Sequence, residues 1–140
     1  MMWFLVIGIL LIGLLQAWPP IQAALERTAL ELANREIIER ANDYKQLWLL
    51  ENQPSDLQWQ GQRLTFSATG WVLPTQVDGK RCTQLLNWLY PKQHILQKKL
   101  QVEEQPIPQG YQCELYYTQA QFIKITLQNN SFSSTVSSLQ

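Results

Sequence analysis

The stretch WFLVIGILLIGLLQAW, residues 3–18, contains one polar side chain, that of Gln16. No side chain carries a formal charge before Glu26, so the uncharged segment extends through Leu25. A helix rises about 1.5 Å per residue and the hydrocarbon core of a bilayer is roughly 30 Å thick, so this segment is long enough to cross a membrane. We predict a transmembrane anchor over residues 1–24, whose lipid-facing and interfacial side chains include Trp3, Phe4, Leu5, Val6, Ile7 and Trp18.

The alternative for this stretch is a signal peptide that is removed after export. A signal peptide has basic residues ahead of its apolar run and small residues at its cleavage site. Here Met1 and Met2 lead directly into Trp3, and Pro19 and Pro20 lie close to any cleavage site. We therefore expect the anchor to be retained.

Residues from about 21 to 51 have the pattern of an amphipathic helix. Apolar side chains recur at spacings of three and four and form one stripe, which consists of Leu30, Ala33, Ile37, Ala41, Tyr44 and Trp48. We expect this stripe to pack against the protein's own domain, because only about three heptads are available for a coiled coil. If the stripe binds a partner instead, Ile37, Tyr44 and Trp48 are candidate interaction residues.

Beyond Asn52 the pattern changes from the helical period to alternation of apolar and polar residues. The segment Leu57 to Ala68 alternates on both sides of Gly61, which predicts a β-hairpin. Residues 111–117 and 123–127 alternate in the same way and are predicted strands. A return of the chain at the two asparagines after the last of them allows an edge strand from Phe132 to Val136.

A short helix is predicted from about Lys80 to Tyr90. Its apolar face consists of Cys82, Leu85, Leu86 and Leu89. The stretch between Lys92 and Gly110 has no pattern that assigns it firmly, and we expect Glu103 and Glu104 to be solvated charges of a loop.

Together these elements predict an α+β fold. The anchor and its amphipathic extension form one long N-terminal helix, which packs on a small antiparallel sheet of about three to five strands. The exported domain occupies residues 25–140, with the sheet and the short helix between residues 57 and 137.

The charge balance excludes several classes of function. Eleven basic and eleven acidic side chains give a net charge of zero, so no field is present that would attract nucleic acid. His94 lies among lysines and is expected to be solvated, and with two cysteines it does not complete a tetrahedral metal site. We therefore expect no catalytic residue, no cofactor and no metal.

The two cysteines, Cys82 and Cys113, are too far apart for a CxxC redox or zinc motif. We expect a disulfide between them, the alternative being two buried free thiols. A disulfide persists outside the cytosol, so the C-terminal domain is predicted to be periplasmic and the N terminus cytoplasmic.

The order of elements resembles that of type IV pilins and pseudopilins. In more detail, the chain is similar to the MshF family of mannose-sensitive haemagglutinin (MSHA) pilus biogenesis proteins. The residues that carry this similarity follow an unprocessed apolar N terminus, and they are Gly70, Trp71, Pro74, Asp78, Gly79, Cys82, Leu85, Leu86 and Leu89. The resemblance implies a pilin-like fold anchored in the bacterial inner membrane, with other pilus or secretion proteins as partners in a homo- or hetero-oligomer.

The N terminus departs from that of a true pilin. A prepilin has a basic leader that ends in glycine and a glutamate five residues into the mature chain. Here no basic residue precedes Gly8 or Gly13, and the apolar span contains no glutamate. We therefore expect a non-enzymatic accessory component that acts through protein contacts, with Trp71 as a further candidate contact. The alternative is a membrane-tethered periplasmic module that binds a small ligand or peptide in a pocket with convergent polar groups.

Overall fold

A computed structural model describes residues 1–74 and 79–138 of the chain, so Asp78 of the predicted motif lies outside the described residues. Its longest element is helix α1, Met2–Leu50, which continues through both prolines. The helix ends where predicted, because Asn52 and Gln53 adopt positive φ angles of 65° and 58°. The backbone N–H of Gln53 then donates to the carbonyl oxygen of Trp48 at 2.8 Å, which closes the last turn.

The predicted hairpin after this helix is confirmed. Strands β1, Asp56–Trp59, and β2, Gln62–Phe66, pair antiparallel, with Trp59 opposite Gln62. The two-residue strand β3, Val72–Leu73, pairs with β2 and completes a three-stranded sheet.

The predicted short helix is helix α2, Arg81–Leu89. It is followed by a two-stranded ribbon of β4, His94–Ile95, and β5, Lys98–Lys99. Strand β6, Gln101–Gln105, contains Glu103 and Glu104, so the expectation that these residues belong to a loop is wrong.

The largest sheet has four strands in the order β6-β7-β8-β9, all antiparallel to their neighbours. Strand β7 is Gly110–Tyr116, β8 is Gln121–Gln128 and β9 is Ser131–Ser138. The two strands predicted from alternation are therefore present, and so is the edge strand that the turn at the two asparagines allowed. The described residues contain nine strands in three sheets, more than the sequence predicted.

One face of the four-stranded sheet carries the core. Helix α1 packs on the β8–β9 side and helix α2 on the β6 side, so both helices cover the same face. This is the predicted α+β architecture, with a long N-terminal helix on a small antiparallel sheet. The fully buried side chains at the centre of the core include Leu30, Ile37, Leu64, Leu85, Leu89, Leu115, Ile123 and Ile125.

Helix α1 runs along the sheet in a direction that contacts with β9 define. Ser134 Oγ lies 2.5 Å from Asn34 Oδ1, and Phe132 stacks on Trp71, which in turn contacts Lys45. Increasing residue numbers in α1 therefore match decreasing numbers in β9. We call the end of the domain nearest the apolar half of α1 the proximal end, and the end nearest Trp48 the distal end.

Candidate interaction surface

The first half of α1 packs on nothing in the described structure. Every described side chain from Met1 to Leu25 is exposed except the half-buried position Gly8, and Trp3 and Trp18 are 81% and 63% exposed. Within the described residues, α1 is the one helix long and apolar enough to cross a membrane, and none of its most apolar window is buried. Exposing this much apolar surface to water is unfavourable, at roughly 25 cal/mol per Å².

The second half of α1 is part of the domain core. Ile37 is fully buried, Trp48 is 8% exposed, and Tyr44 is half-buried with its hydroxyl 3.5 Å from the carbonyl oxygen of Trp88. Burial raises the pKa of Tyr44, while the charge of Arg40 acts in the opposite direction. The structure therefore places these three candidate interaction residues against the protein's own domain.

The fourth candidate, Trp71, lies at the distal end beside Trp48. Its ring stacks on Phe132 with centroids 4.9 Å apart, and the ammonium group of Lys45 lies 4.3 Å from its centroid. Trp71 is half-buried, and Phe132 and Lys45 each cover part of its ring. The ring therefore does not form a flat, exposed apolar patch.

Gly70 permits this junction of helix and sheet. Its φ angle is +93°, and a Cβ atom built on it would lie 2.4 Å from Trp48 Cε3. The indole cannot move away freely, because its Nε1 donates a hydrogen bond of 3.0 Å to the carbonyl oxygen of Pro54. The sequence pair Gly70-Trp71 therefore has a packing role that links α1 to the loop before β3.

The predicted disulfide is present between Cys82 of α2 and Cys113 of β7, with Cα atoms 5.5 Å apart. Next to it, Glu104 Oε1 accepts a hydrogen bond of 2.9 Å from the backbone N–H of Cys82, and Oε2 accepts one of 3.3 Å from Gly79. This carboxylate caps the N terminus of α2 from strand β6. The N-cap residue of α2 is Lys80, whose side chain has no oxygen that could cap the helix. This missing acceptor was the signal in the sequence that another residue caps α2.

The two edges of the four-stranded sheet differ. Strand β6 contains two glutamates and contacts α2, whereas β9 has the sequence SFSSTVSS without a charge or a proline. Strand β9 pairs with β8 over eight consecutive positions without a bulge, and among the described strands none pairs with its other edge. Charges, prolines and bulges are among the devices that prevent an edge strand from pairing with another chain, and β9 has none of these three. Sequence analysis predicted the strand but did not identify it as a surface.

Among the clefts on the surface of the described residues, two lie at opposite ends of the domain. The larger, about 520 Å³, lies at the proximal end and is lined by Lys98, Gln101, Glu103, Tyr116, Tyr117, Thr118 and Gln119. The Tyr116 hydroxyl donates to Glu114 Oε2 at 2.5 Å, and this bond raises the pKa of Tyr116 to about 12. The other, about 360 Å³, lies at the distal end between the first sheet and the β7–β8 strands. The described residues contain no group of three or more His, Cys, Asp or Glu side chains that could hold a metal ion.

The chain matches no protein-family model, no curated protein and no solved structure. What its own fold defines is a class: an α+β domain, closed by a disulfide, on a single apolar N-terminal helix that is compatible with a single-pass membrane protein. Similarity to the MshF family stays a prediction from residues 70–89.

Proposed function

We propose that this protein is a non-enzymatic accessory component of a type IV pilus of the MSHA kind, or of a related secretion assembly. In this proposal α1 anchors it in the bacterial inner membrane with the N terminus in the cytoplasm. The domain lies in the periplasm, where disulfides persist, and acts through contacts with other assembly proteins.

The division of α1 into two halves is the observation that supports this proposal most strongly. Residues up to Leu25 present an apolar surface that the domain does not cover, whereas residues from Leu30 to Trp48 contribute to the core. One continuous helix, which includes Pro19 and Pro20, makes both halves, so no non-helical linker separates the domain from its anchor. A short helical connection keeps a contact surface close to the bilayer, where the subunits of an envelope assembly lie.

The unpaired edge of β9 is the contact surface we assign to assembly partners. An exposed edge offers backbone N–H and C=O groups to an extended segment of another protein, and neighbouring side chains then provide specificity. On β9, Ser133 and Thr135 are exposed, so an added strand would meet small polar side chains rather than charges.

A photo-crosslinking amino acid at Ser133, in the full chain and in its native bacterium, tests this assignment. We expect crosslinks to a pilus or secretion subunit, and we expect Ser133→Lys to remove co-purification of that subunit because a lysine on an edge strand disfavours pairing. The matched control is Thr126→Lys on β8, the position directly opposite Ser133 but one strand away from the free edge. Its charge lies on the same face of the sheet, so it should leave co-purification intact.

Equal loss of binding in both variants, with unchanged thermal stability, would point to the sheet face rather than the edge. Crosslinks only to proteins outside pilus and secretion systems would contradict the proposed function itself.

The proximal cleft favours a second candidate function, a membrane-tethered module that binds a small ligand. Its volume falls within the range of small-molecule sites, about 300 to 1,000 Å³, and it combines Lys98 and Glu103 with two tyrosines. A ligand of this cleft would raise the melting temperature of the full chain, and Lys98→Gln would abolish that increase.

A further inference from the structure

Within residues 1–74 and 79–138, three hairpins turn through two residues with positive φ, and one of them has a leucine where glycine or asparagine is usual. The β1–β2 turn is Gln60-Gly61 and the β8–β9 turn is Asn129-Asn130, whereas the β4–β5 turn is Leu96-Gln97. Such turns favour glycine and asparagine, because most side chains are strained at positive φ.

Leu96 is unusual in exposure as well as in backbone conformation. Its φ angle is 48° and its side chain is 48% exposed, so neither the turn nor the core accounts for a leucine here. The structurally equivalent residue at the opposite end, Asn129, has a φ angle of 53° and is also exposed. Positions that break a local rule without a compensating contact in the fold are often functional.

The β4–β5 hairpin lies at the proximal end of the domain. Lys98 Nζ is 5.2 Å from the centroid of the Tyr117 ring. The backbone N–H of Tyr117 donates to the carbonyl oxygen of Gln121 at 3.0 Å, and Gln121 lies opposite Ser138 at the proximal end of β9. Burial and then the charge of Glu26 raise the pKa of Tyr117. Helix α1 contacts β4, and the proximal end is the end nearest the apolar half of α1, so the hairpin lies on the side of the domain from which α1 enters the proposed membrane span.

The hairpin combines this apolar tip with positive charge. Lys98 and Lys99 follow the turn directly, and both are exposed. The acidic groups nearby are Glu26 on α1, Glu103 in the adjoining cleft and Glu114, which lies opposite Glu103 on β7. Glu31 forms an ion pair with Arg27 at 3.3 Å. An exposed leucine followed by two lysines combines the two features that interfacial binding to an anionic bilayer uses, an apolar group for the interface and ammonium groups for the phosphates.

We propose that the β4–β5 hairpin lies on the membrane that α1 crosses, with Leu96 in the head-group region and Lys98 and Lys99 on anionic phospholipid head groups. This contact rests on the membrane anchoring in the proposed function. Together, anchor and hairpin hold the domain at two points, which fixes its rotation about the axis of α1 and therefore the direction in which β9 faces.

Lipid quenching in reconstituted bilayers tests the hairpin contact. The full chain is reconstituted into vesicles that contain phosphatidylglycerol and a lipid with a nitroxide on its head group. An environment-sensitive fluorescent amino acid replaces Leu96 in one variant and Asn129 in the matched control. We expect strong quenching at position 96 and only background quenching at position 129.

Neutralisation of both lysines, Lys98→Gln with Lys99→Gln, should shift the partition of the hairpin from head groups to water by about 30-fold, and quenching at position 96 should fall to background. Replacing phosphatidylglycerol by phosphatidylcholine should do the same. Equal quenching at positions 96 and 129 would overturn the proposal. So would quenching at position 96 that stays the same after the lysine substitutions and after the change of lipid.

Quenching of Trp3 and Trp18 by lipids brominated on their acyl chains gives a separate readout of the anchor. If these tryptophans are quenched while position 96 is not, the hairpin contact is wrong and the anchor stands. If neither is quenched, the anchoring on which both depend is wrong.

Discussion

Replacing Gly70 by alanine should lower the free energy of unfolding by about 2 to 6 kcal/mol. The first contribution is backbone strain, about 1 to 3 kcal/mol for an L-residue held at an unfavourable φ. Its φ angle in the structure is +93°. The second is overlap, because the new Cβ would lie 2.4, 2.8 and 2.9 Å from three atoms of the Trp48 ring. Overpacking of this kind typically costs about 1 to 3 kcal/mol.

Gly61 is the matched control for the strain contribution. It has a φ angle of +78° in the β1–β2 turn, and no heavy atom lies within 4 Å of a Cβ built on it. Gly61→Ala should therefore cost only the strain, and the difference between the two variants should report the overlap with Trp48.

The assay is urea unfolding followed by tryptophan fluorescence and circular dichroism, on a domain that begins at Ala24. Such a domain keeps the buried core, because the first buried side chain of α1 is Leu30. Equal destabilisation by Gly70→Ala and Gly61→Ala would refute the reasoning, since it would mean that the Trp48 ring moves aside without cost.

Three further predictions follow from the core. Ile37→Asp should unfold the domain, because an unpaired buried charge costs about 3 to 5 kcal/mol. The exposed control, Asn42→Asp, should stay folded. A cooperative melt for both variants would contradict the buried position of Ile37. Replacing Cys82 and Cys113 together by alanine should lower the free energy of unfolding by about 3 to 4 kcal/mol in the loop-entropy model, measured by urea unfolding, and no change on reduction of the wild-type protein would contradict it. Burial raises the pKa of Tyr111 above its ordinary value of 10.0, so its contribution to stability is complete below pH 10 and is lost as the pH rises further. Tyr111→Phe should therefore flatten the decline of stability above pH 10, by at most about 1.4 kcal/mol per pH unit; an unchanged slope would contradict it.

The fold was predictable from the sequence wherever one periodicity dominated a segment. The stripe that contains Ile37 and Ala41 has the helical period, and the same residues are buried against the sheet. Apolar and polar residues alternate in β7 and β8, and the apolar ones face the core while most of the polar ones face outward. Cys113 and Ile125, for example, lie opposite each other in the core. When only one face of a helix or strand is buried, its apolar residues recur with the period of that element, so the sequence alone shows the element.

Elements that depend on distant partners were not predictable. The one half-buried apolar side chain of strand β6 is Val102, too little for an alternating pattern. Glu104 is also half-buried, because its carboxylate accepts a hydrogen bond from the N terminus of α2. The β4–β5 ribbon has only two residues in each strand, too few to show a period. The stacking of Trp71 on Phe132 joins residues that are 61 positions apart in the sequence, so nothing local indicated whether Trp71 was exposed.

The orientation of the domain was inferred from cysteine chemistry and not from the flanks of the span. Basic residues on one flank normally decide topology. Here Arg27 and Arg35 alternate with Glu26 and Glu31, and no basic residue precedes the span. A reporter enzyme fused after Gln140 therefore provides information that the charge pattern lacks, and it should be active in the periplasm.

The most direct test of the account is the intact mass of the protein recovered from the membrane fraction of the cells that produce it. The account predicts that the protein stays in the membrane after a carbonate wash and that its mass includes the apolar residues from Trp3 to Trp18. Recovery of a soluble product that begins near Ala23 or Ala24 would contradict it, because the apolar half of α1 would then be a removed signal and not an anchor.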